Sequence, residues 1–119
     1  MNNREFGIQG EKIAADYLLA KNYKILKCNY KIKLGEIDLI AKKGSLITFV
    51  EVKTRKSLNY GVPSQAVNWK KQRKIIQVAQ VYISTIEEEN YHFSFDIIEV
   101  VWKNNHSWDV NHIINGFEI

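Results

Sequence analysis

Residues 35–55 read Gly35-Glu36-Ile37-Asp38-Leu39-Ile40-Ala41-Lys42-Lys43-Gly44-Ser45-Leu46-Ile47-Thr48-Phe49-Val50-Glu51-Val52-Lys53-Thr54-Arg55. Two runs rich in Ile, Leu, Val and Phe, 36–41 and 46–54, flank a short polar connection centred on Gly44-Ser45. Branched and aromatic side chains suit a pleated, half-buried surface, and glycine supplies the positive φ of a two-residue hairpin turn. The bend sets a register: Lys43 faces Leu46, Ile40 faces Phe49, Asp38 faces Glu51 and Glu36 faces Lys53. Side chains alternate along a strand, so Ile47, Phe49, Glu51 and Lys53 share one face.

That register sets two carboxylates side by side, with Cβ atoms about 4.5–5.5 Å apart, among apolar neighbours. Leaving them unpaired and partly desolvated is costly, and a divalent cation between them removes the conflict. Mg²⁺ suits such a site because it takes one or two carboxylates, keeps several waters and shares phosphate oxygens. Lys53, two residues beyond Glu51 on the same face, is placed to orient or deprotonate a nucleophile and to offset developing negative charge, with the neighbouring carboxylate expected to hold it charged. A solvated salt-bridged face, with Glu36 and Lys53 as an ordinary cross-strand pair, fits the same pattern.

Working outward, apolar residues Ile13, Ala14, Tyr17 and Leu18 recur at helical spacing within a predicted helix over 4–21, with Asn22 as its stop. Residues 23–33 read as a strand that Gly35 breaks, and 55–63 as a loop. Ser64 is the expected N-cap of a long helix running to about residue 88. Strands are predicted over 91–102 and 108–114, joined by a turn at 103–106. The order is helix, three strands, helix, two strands, with no repeat or linker. The expected fold class is α/β, one domain over residues 1–119 with a central mixed sheet of about five strands flanked by helices.

The chain carries a net charge of +4 and a single cysteine, Cys28. The charge leans towards a polyanionic partner. One cysteine cannot form an internal disulfide, which suits a reducing compartment, and Cys28 reads as a small core residue. No stretch approaches the ~18 apolar residues of a membrane span, and the polar N-terminus does not resemble a signal peptide, so a cytoplasmic location without membrane contact is expected.

In the long helix, Lys70, Lys71, Arg73 and Lys74 are expected on one side and Ile75, Ile76, Ala79, Tyr82, Ile83 and Ile86 on the other. Four cations without an acidic neighbour suit phosphate contacts, and Lys42, Lys43, Arg55 and Lys56 around the hairpin are expected to extend that patch. Gln65 reads equally as a supporting contact to nucleotide or water and as a polar residue of a first helical turn. His92, His106 and His112 lack metal-ligand spacing and read as surface or strand-end residues. Trp69, Trp102 and Trp108 could stack on bases, with full or partial burial the plainer reading.

The whole pattern resembles the bacterial YraN family, a branch of the PD-(D/E)xK, restriction-endonuclease-like nuclease superfamily. The resemblance rests on Gly7, Gly10-Glu11 and Ala15, Asn29, residues 35–41 and 49–55, Ala66-Val67, Lys71, Phe95-Asp96 and His112-Ile113. Ser94 and Gly116 depart from residues common in the family. The resemblance implies a sheet flanked by helices, similar to archaeal Holliday-junction resolvases. It also implies Mg²⁺ or Mn²⁺ at Asp38 and Glu51, joined by Glu11 of the first helix, with Lys53 as catalytic lysine; Glu36, which adjoins the site, is separately expected to support it by pairing with Lys53 or a second metal. The implied activity is endonucleolytic hydrolysis of nucleic acid, DNA ahead of RNA and branched or single-stranded forms among the substrates, with a homodimer as in those resolvases. The alternative is a binding module that keeps the fold and cleaves weakly or only with a partner.

Overall fold

Asn2 starts the first helix: its side chain accepts the Glu5 N–H at 2.8 Å while the Glu5 carboxylate returns to the Asn2 N–H, a reciprocal cap. The computed structural model describes residues 2–56, 68–103 and 107–117. Helix α1 covers Asn3–Ala20 and ends at Asn22, whose φ of 70° lets the Tyr23 N–H reach back to Leu18 O at 2.9 Å. Strands β1 (Lys24–Ile32), β2 (Gly35–Lys43) and β3 (Leu46–Arg55) follow, then helix α2 (Trp69–Ile83), β4 (His92–Trp102) and β5 (Trp108–Phe117).

The five strands form one sheet in the order β1-β2-β3-β4-β5. All neighbours are antiparallel except β3 and β4, which run parallel with α2 on the crossover between them. This is the predicted single α/β domain with a mixed sheet. On one face Ile40, Phe49, Phe95 and Ile97 pack with Ile75, Val78 and Ala79 of α2. On the other, Leu39, Val50, Ile98 and Val100 pack with Ala14 and Leu18 of α1. Successive residues Phe49/Val50 and Ile97/Ile98 thus serve opposite layers, which is the strand alternation at work.

The hairpin forms in the predicted register: Gly44 takes φ 60°, Lys43 pairs with Leu46 and Ile40 with Phe49. Pairing between β2 and β3 stops at Leu39–Val50. Beyond that point the Asp38 side chain, rather than a backbone carbonyl, accepts the Val52 N–H at 2.8 Å. Glu36 pairs instead with Lys31 of β1 and is exposed, so no Glu36–Lys53 cross-strand pair forms.

Four other expectations are corrected. Helix α2 is capped by Asn68, whose side chain accepts the Lys71 N–H at 2.9 Å, and Ser64 and Gln65 lie outside the described residues. The helix ends at Ile83 because Ser84 and Thr85 hydroxyls donate to the Val81 and Tyr82 carbonyls at 2.6 Å, ahead of three glutamates that would oppose the helix dipole. Strand β5 continues to Phe117, whose ring lies 5.1 Å from Phe95 in the core. Cys28 is exposed, since β1 is an edge strand. Among the described residues no helix is long and apolar enough to cross a membrane.

Candidate active site

Four elements, α1, β2, β3 and α2, converge where β2 and β3 part. Along α1, Asn3, Phe6, Gly7, Gly10 and Glu11 recur at three- and four-residue spacing and form one stripe. Gly10 lets that stripe sit directly on β3: a Cβ there would fall 2.0 Å from the Thr54 hydroxyl oxygen. This close approach carries Glu11 over the strand ends. The result is a cavity of about 330 Å³ lined by Asn3, Phe6, Gly7, Glu11, Asp38, Glu51, Val52, Lys53, Thr54 and Lys71.

Within it, Glu51 is only 6% exposed and carries two ammonium neighbours, Lys71 at 2.5 Å and Lys53 at 3.8 Å. Burial raises the Asp38 carboxyl pKa, and the adjacent Glu51 raises it further, outweighing the Val52 N–H and leaving it at about 8. Glu11 is also raised, by burial first and then by Glu36 and Glu51. Lys53 moves the other way: burial and the Lys71 charge lower its pKa, overriding the two carboxylates. The carboxylates favour the charged form as expected, but burial and Lys71 outweigh them. Lys71 is raised, because direct contact with Glu51 outweighs its burial.

The cavity suits a divalent cation through its donor set: an acidic pair in which burial and the neighbouring Glu51 lift the Asp38 carboxyl pKa to about 8, with a third carboxylate, Glu11, in the lining. Among the described residues no three acidic, His or Cys side chains are already drawn close enough to enclose an ion. Glu11 lines the cavity without closing on the pair, and Lys71 holds Glu51.

The structure brings Asp38, Glu51, Lys53 and Glu11 to one cavity and leaves the basic residues dispersed. Lys70, Arg73 and Lys74 are exposed on α2, with Arg73 4.9 Å from the centre of the Trp69 ring, which is 66% exposed rather than buried. Lys71 does not share their side. At 100° per residue it falls in line with Ile75, Val78 and Tyr82, so it extends the inward stripe of the helix and meets an acidic neighbour. Arg55 turns to the fully buried Glu99, Nε to Oε2 at 3.3 Å. Lys42 and Lys43 sit over the rings of Tyr91 (5.0 Å) and Tyr23 (5.3 Å) at the turn end of the hairpin. At ~3.3 Å per residue that end is roughly 16 Å from Asp38, too far to continue a patch around the cavity. Lys56 is exposed beside Phe6. Glu36, outside the cavity lining, acts on Glu11 through its charge alone.

A second buried acid sits elsewhere. Asp96 receives His112 Nε2 at 2.7 Å and the Asn115 N–H at 3.1 Å, and His112 Nδ1 meets the Tyr17 hydroxyl at 3.2 Å. The His112 side chain is 7% exposed, not the surface residue its sequence context suggested.

A model of the family described as uncharacterised protein family UPF0102 matches residues 10–100. A UPF0102 protein of Caldanaerobacter subterraneus subsp. tengcongensis is 52% identical over 119 residues, covering 98% of both chains. Another from Clostridioides difficile is 48% identical over 117 residues, covering 98% of this chain and 100% of its own. Among solved structures, Pyrococcus furiosus SfsA in complex with Ca²⁺ is similar at 14% identity and a TM-score of 0.39, over 99% of this chain and 66% of that one.

Proposed function

The chain belongs to the UPF0102 family, and we propose that it is a divalent-metal-dependent endonuclease that hydrolyses phosphodiester bonds of nucleic acid, DNA in preference to RNA. One observation carries this reading: a single cavity holds Asp38 and Glu51 with two lysines of opposed character, Lys53 depressed and Lys71 elevated.

Asp38 and Glu51 would hold Mg²⁺ or Mn²⁺, with Glu11 drawn in from the rim. Such an ion polarises a phosphoryl oxygen and acidifies bound water. The remaining work falls to the chain's own side chains. Burial and the Lys71 charge make the Lys53 amine easier to deprotonate than an ordinary lysine, and once neutral its Nζ can take a proton from the attacking water. Lys71 keeps its proton and its charge, and so offers a fixed cation to the developing negative phosphorus centre. Asp38 is held in orientation by the Val52 N–H at 2.8 Å. Lys70, Arg73 and Lys74 on the open side of α2, with Lys56 near α1, supply backbone contacts. This reading includes a cytoplasmic site of action and a homodimer that would present two cavities to branched DNA.

The second reading, a binding module that cleaves weakly or only with a partner, is favoured by the Lys71–Glu51 contact: a cation entering the pair must first displace an ammonium at 2.5 Å. Incubation with plasmid, branched and single-stranded DNA and with RNA, in Mg²⁺ and in Mn²⁺, separates the two. Cleavage that Asp38→Asn abolishes and Lys53→Ala reduces by at least about a hundredfold is expected. Binding without cleavage in every condition selects the module, and cleavage surviving both substitutions removes this cavity as its source.

A further inference from the structure

A second cavity of about 220 Å³, lined by Phe6, Lys56, Trp102 and Trp108, adjoins the acidic one. The two share a wall, since the Phe6 side chain lines both. The Phe6 and Trp108 rings lie 5.3 Å apart at 34°, and Trp102 and Trp108 lie 4.9 Å apart at 60°. All three rings are only half-buried. Close-packed interiors leave few voids larger than a water, so an open space among three large rings is unlike core packing. The exposed Lys56 ammonium sits 5.8 Å from the Phe6 ring centre at the mouth of this slot.

We propose that the Phe6–Trp102–Trp108 slot receives an unpaired nucleobase beside the acidic cavity, which makes single-stranded or locally unpaired nucleic acid the substrate of that cavity. The inference rests on the nuclease reading above for the cavity, but the slot itself binds whether or not a bond is cut. Aromatic faces hold bases of any sequence by stacking, and a cation at the edge takes the adjoining phosphate. A base inside a duplex is already stacked and cannot enter without being turned out, at a cost an unpaired base does not meet. With Phe6 as a common wall, a base seated here leaves the adjoining strand to run towards the acidic cavity. Charge complementarity selects a nucleic acid over an apolar peptide, because Lys56 is the charged residue lining the slot among those described.

The test reads binding without added metal, so that it is independent of cleavage. In a Trp69→Phe background, emission comes from Trp102 and Trp108 alone, since the chain has three tryptophans. Titration with an oligothymidylate is expected to quench this emission, while a deoxyribose-phosphate strand of equal length without bases is expected not to. Equal quenching by both, or none by either, overturns the slot. Phe6→Leu and Trp108→Leu are expected to weaken oligothymidylate binding about tenfold with duplex binding changed less than about twofold. Equal loss on both substrates from a variant that melts like the parent also overturns it. Quenching by a protein that never cleaves keeps the slot and removes the nuclease. Cleavage of single strands without base-dependent quenching does the reverse.

Discussion

Asp38 and Asp96 are both enclosed carboxylates on central strands, and their surroundings treat them in opposite ways. Burial pushes Asp96 up, yet the His112 ring and the Asn115 N–H outweigh it and hold the carboxyl below its ordinary value. Burial pushes Asp38 up as well, but its next strongest influence is another carboxylate, and the single Val52 N–H does not compensate. A carboxylate supplied with donors is satisfied as it stands. One facing a second carboxylate is left in a conflict that only a proton or a cation resolves. This contrast supports placing Asp96 in the scaffold and, under the proposed function, Asp38 in the chemistry.

The most forceful way to break that contrast is to remove each acid. Asp96→Ala leaves His112 and the Asn115 N–H facing a void, and is expected to cost about 3–5 kcal/mol in urea denaturation. Asp38→Asn keeps an acceptor for the Val52 N–H and removes a like-charge neighbour of Glu51. Its stability is expected to stay within about 1 kcal/mol of the parent or to exceed it, while cleavage disappears. A large loss of stability at Asp38, or a trivial one at Asp96, would erase the distinction.

The sequence announced one of these sites and not the other. The Asp38–Glu51 hairpin is local: Gly44 and Ser45 set a register that pattern alone could count. The Asp96–His112 pair spans β4 and β5, and its geometry depends on an irregularity no alternation reveals. Phe95 pairs with Phe117 but Ile97 with Ile113, so β5 holds extra residues here, with Asn115 at φ 53° turning its N–H onto Asp96. Lys71 was misplaced for a different reason. Its charge drew it into a group with Lys70, Arg73 and Lys74, although its helical angle set it among Ile75, Val78 and Tyr82. A cation in line with an apolar stripe is a signal of a buried acidic partner, and that signal was present in the sequence. Glu11 reached the cavity on resemblance, and the physical reason, the bare Gly10 surface against Thr54, needs the folded chain to be seen.

A smaller effect sharpens the acidic side of the comparison. Lys71→Met removes the ammonium nearest Glu51 without emptying the site of apolar bulk. Stability is expected to change by less than about 1 kcal/mol, since the lysine side chain is 43% exposed. Cleavage is expected to fall about tenfold through kcat. Lys74→Met, an exposed cation on the outer side of α2, is expected to weaken nucleic-acid binding less than about threefold and to leave kcat alone. If the two variants behave alike, Lys71 is one more surface charge and the inward assignment fails.

The pH dependence has the clearest sign. Stability changes with pH according to the protons bound by the unfolded minus the folded state. Asp96 has a depressed folded value, so between that value and the ordinary 3.8 the unfolded chain holds more protons. Its contribution is present above about pH 4 and is lost as pH falls through the depressed value. Asp38 has a folded value of about 8 against 3.8, so between the two the folded chain holds more protons and stability declines as pH rises. Urea titrations across pH should therefore show Asp96→Asn flattening the acid limb alone and Asp38→Asn flattening the decline between about pH 4 and 8. Saturating Mg²⁺ should act on the parent as Asp38→Asn does, because a cation at the acidic pair displaces the proton that creates the slope. A decline that Mg²⁺ leaves untouched, in a protein whose Asp38→Asn variant lacks it, would mean that the conflict at Asp38 is real but is resolved by something other than a metal.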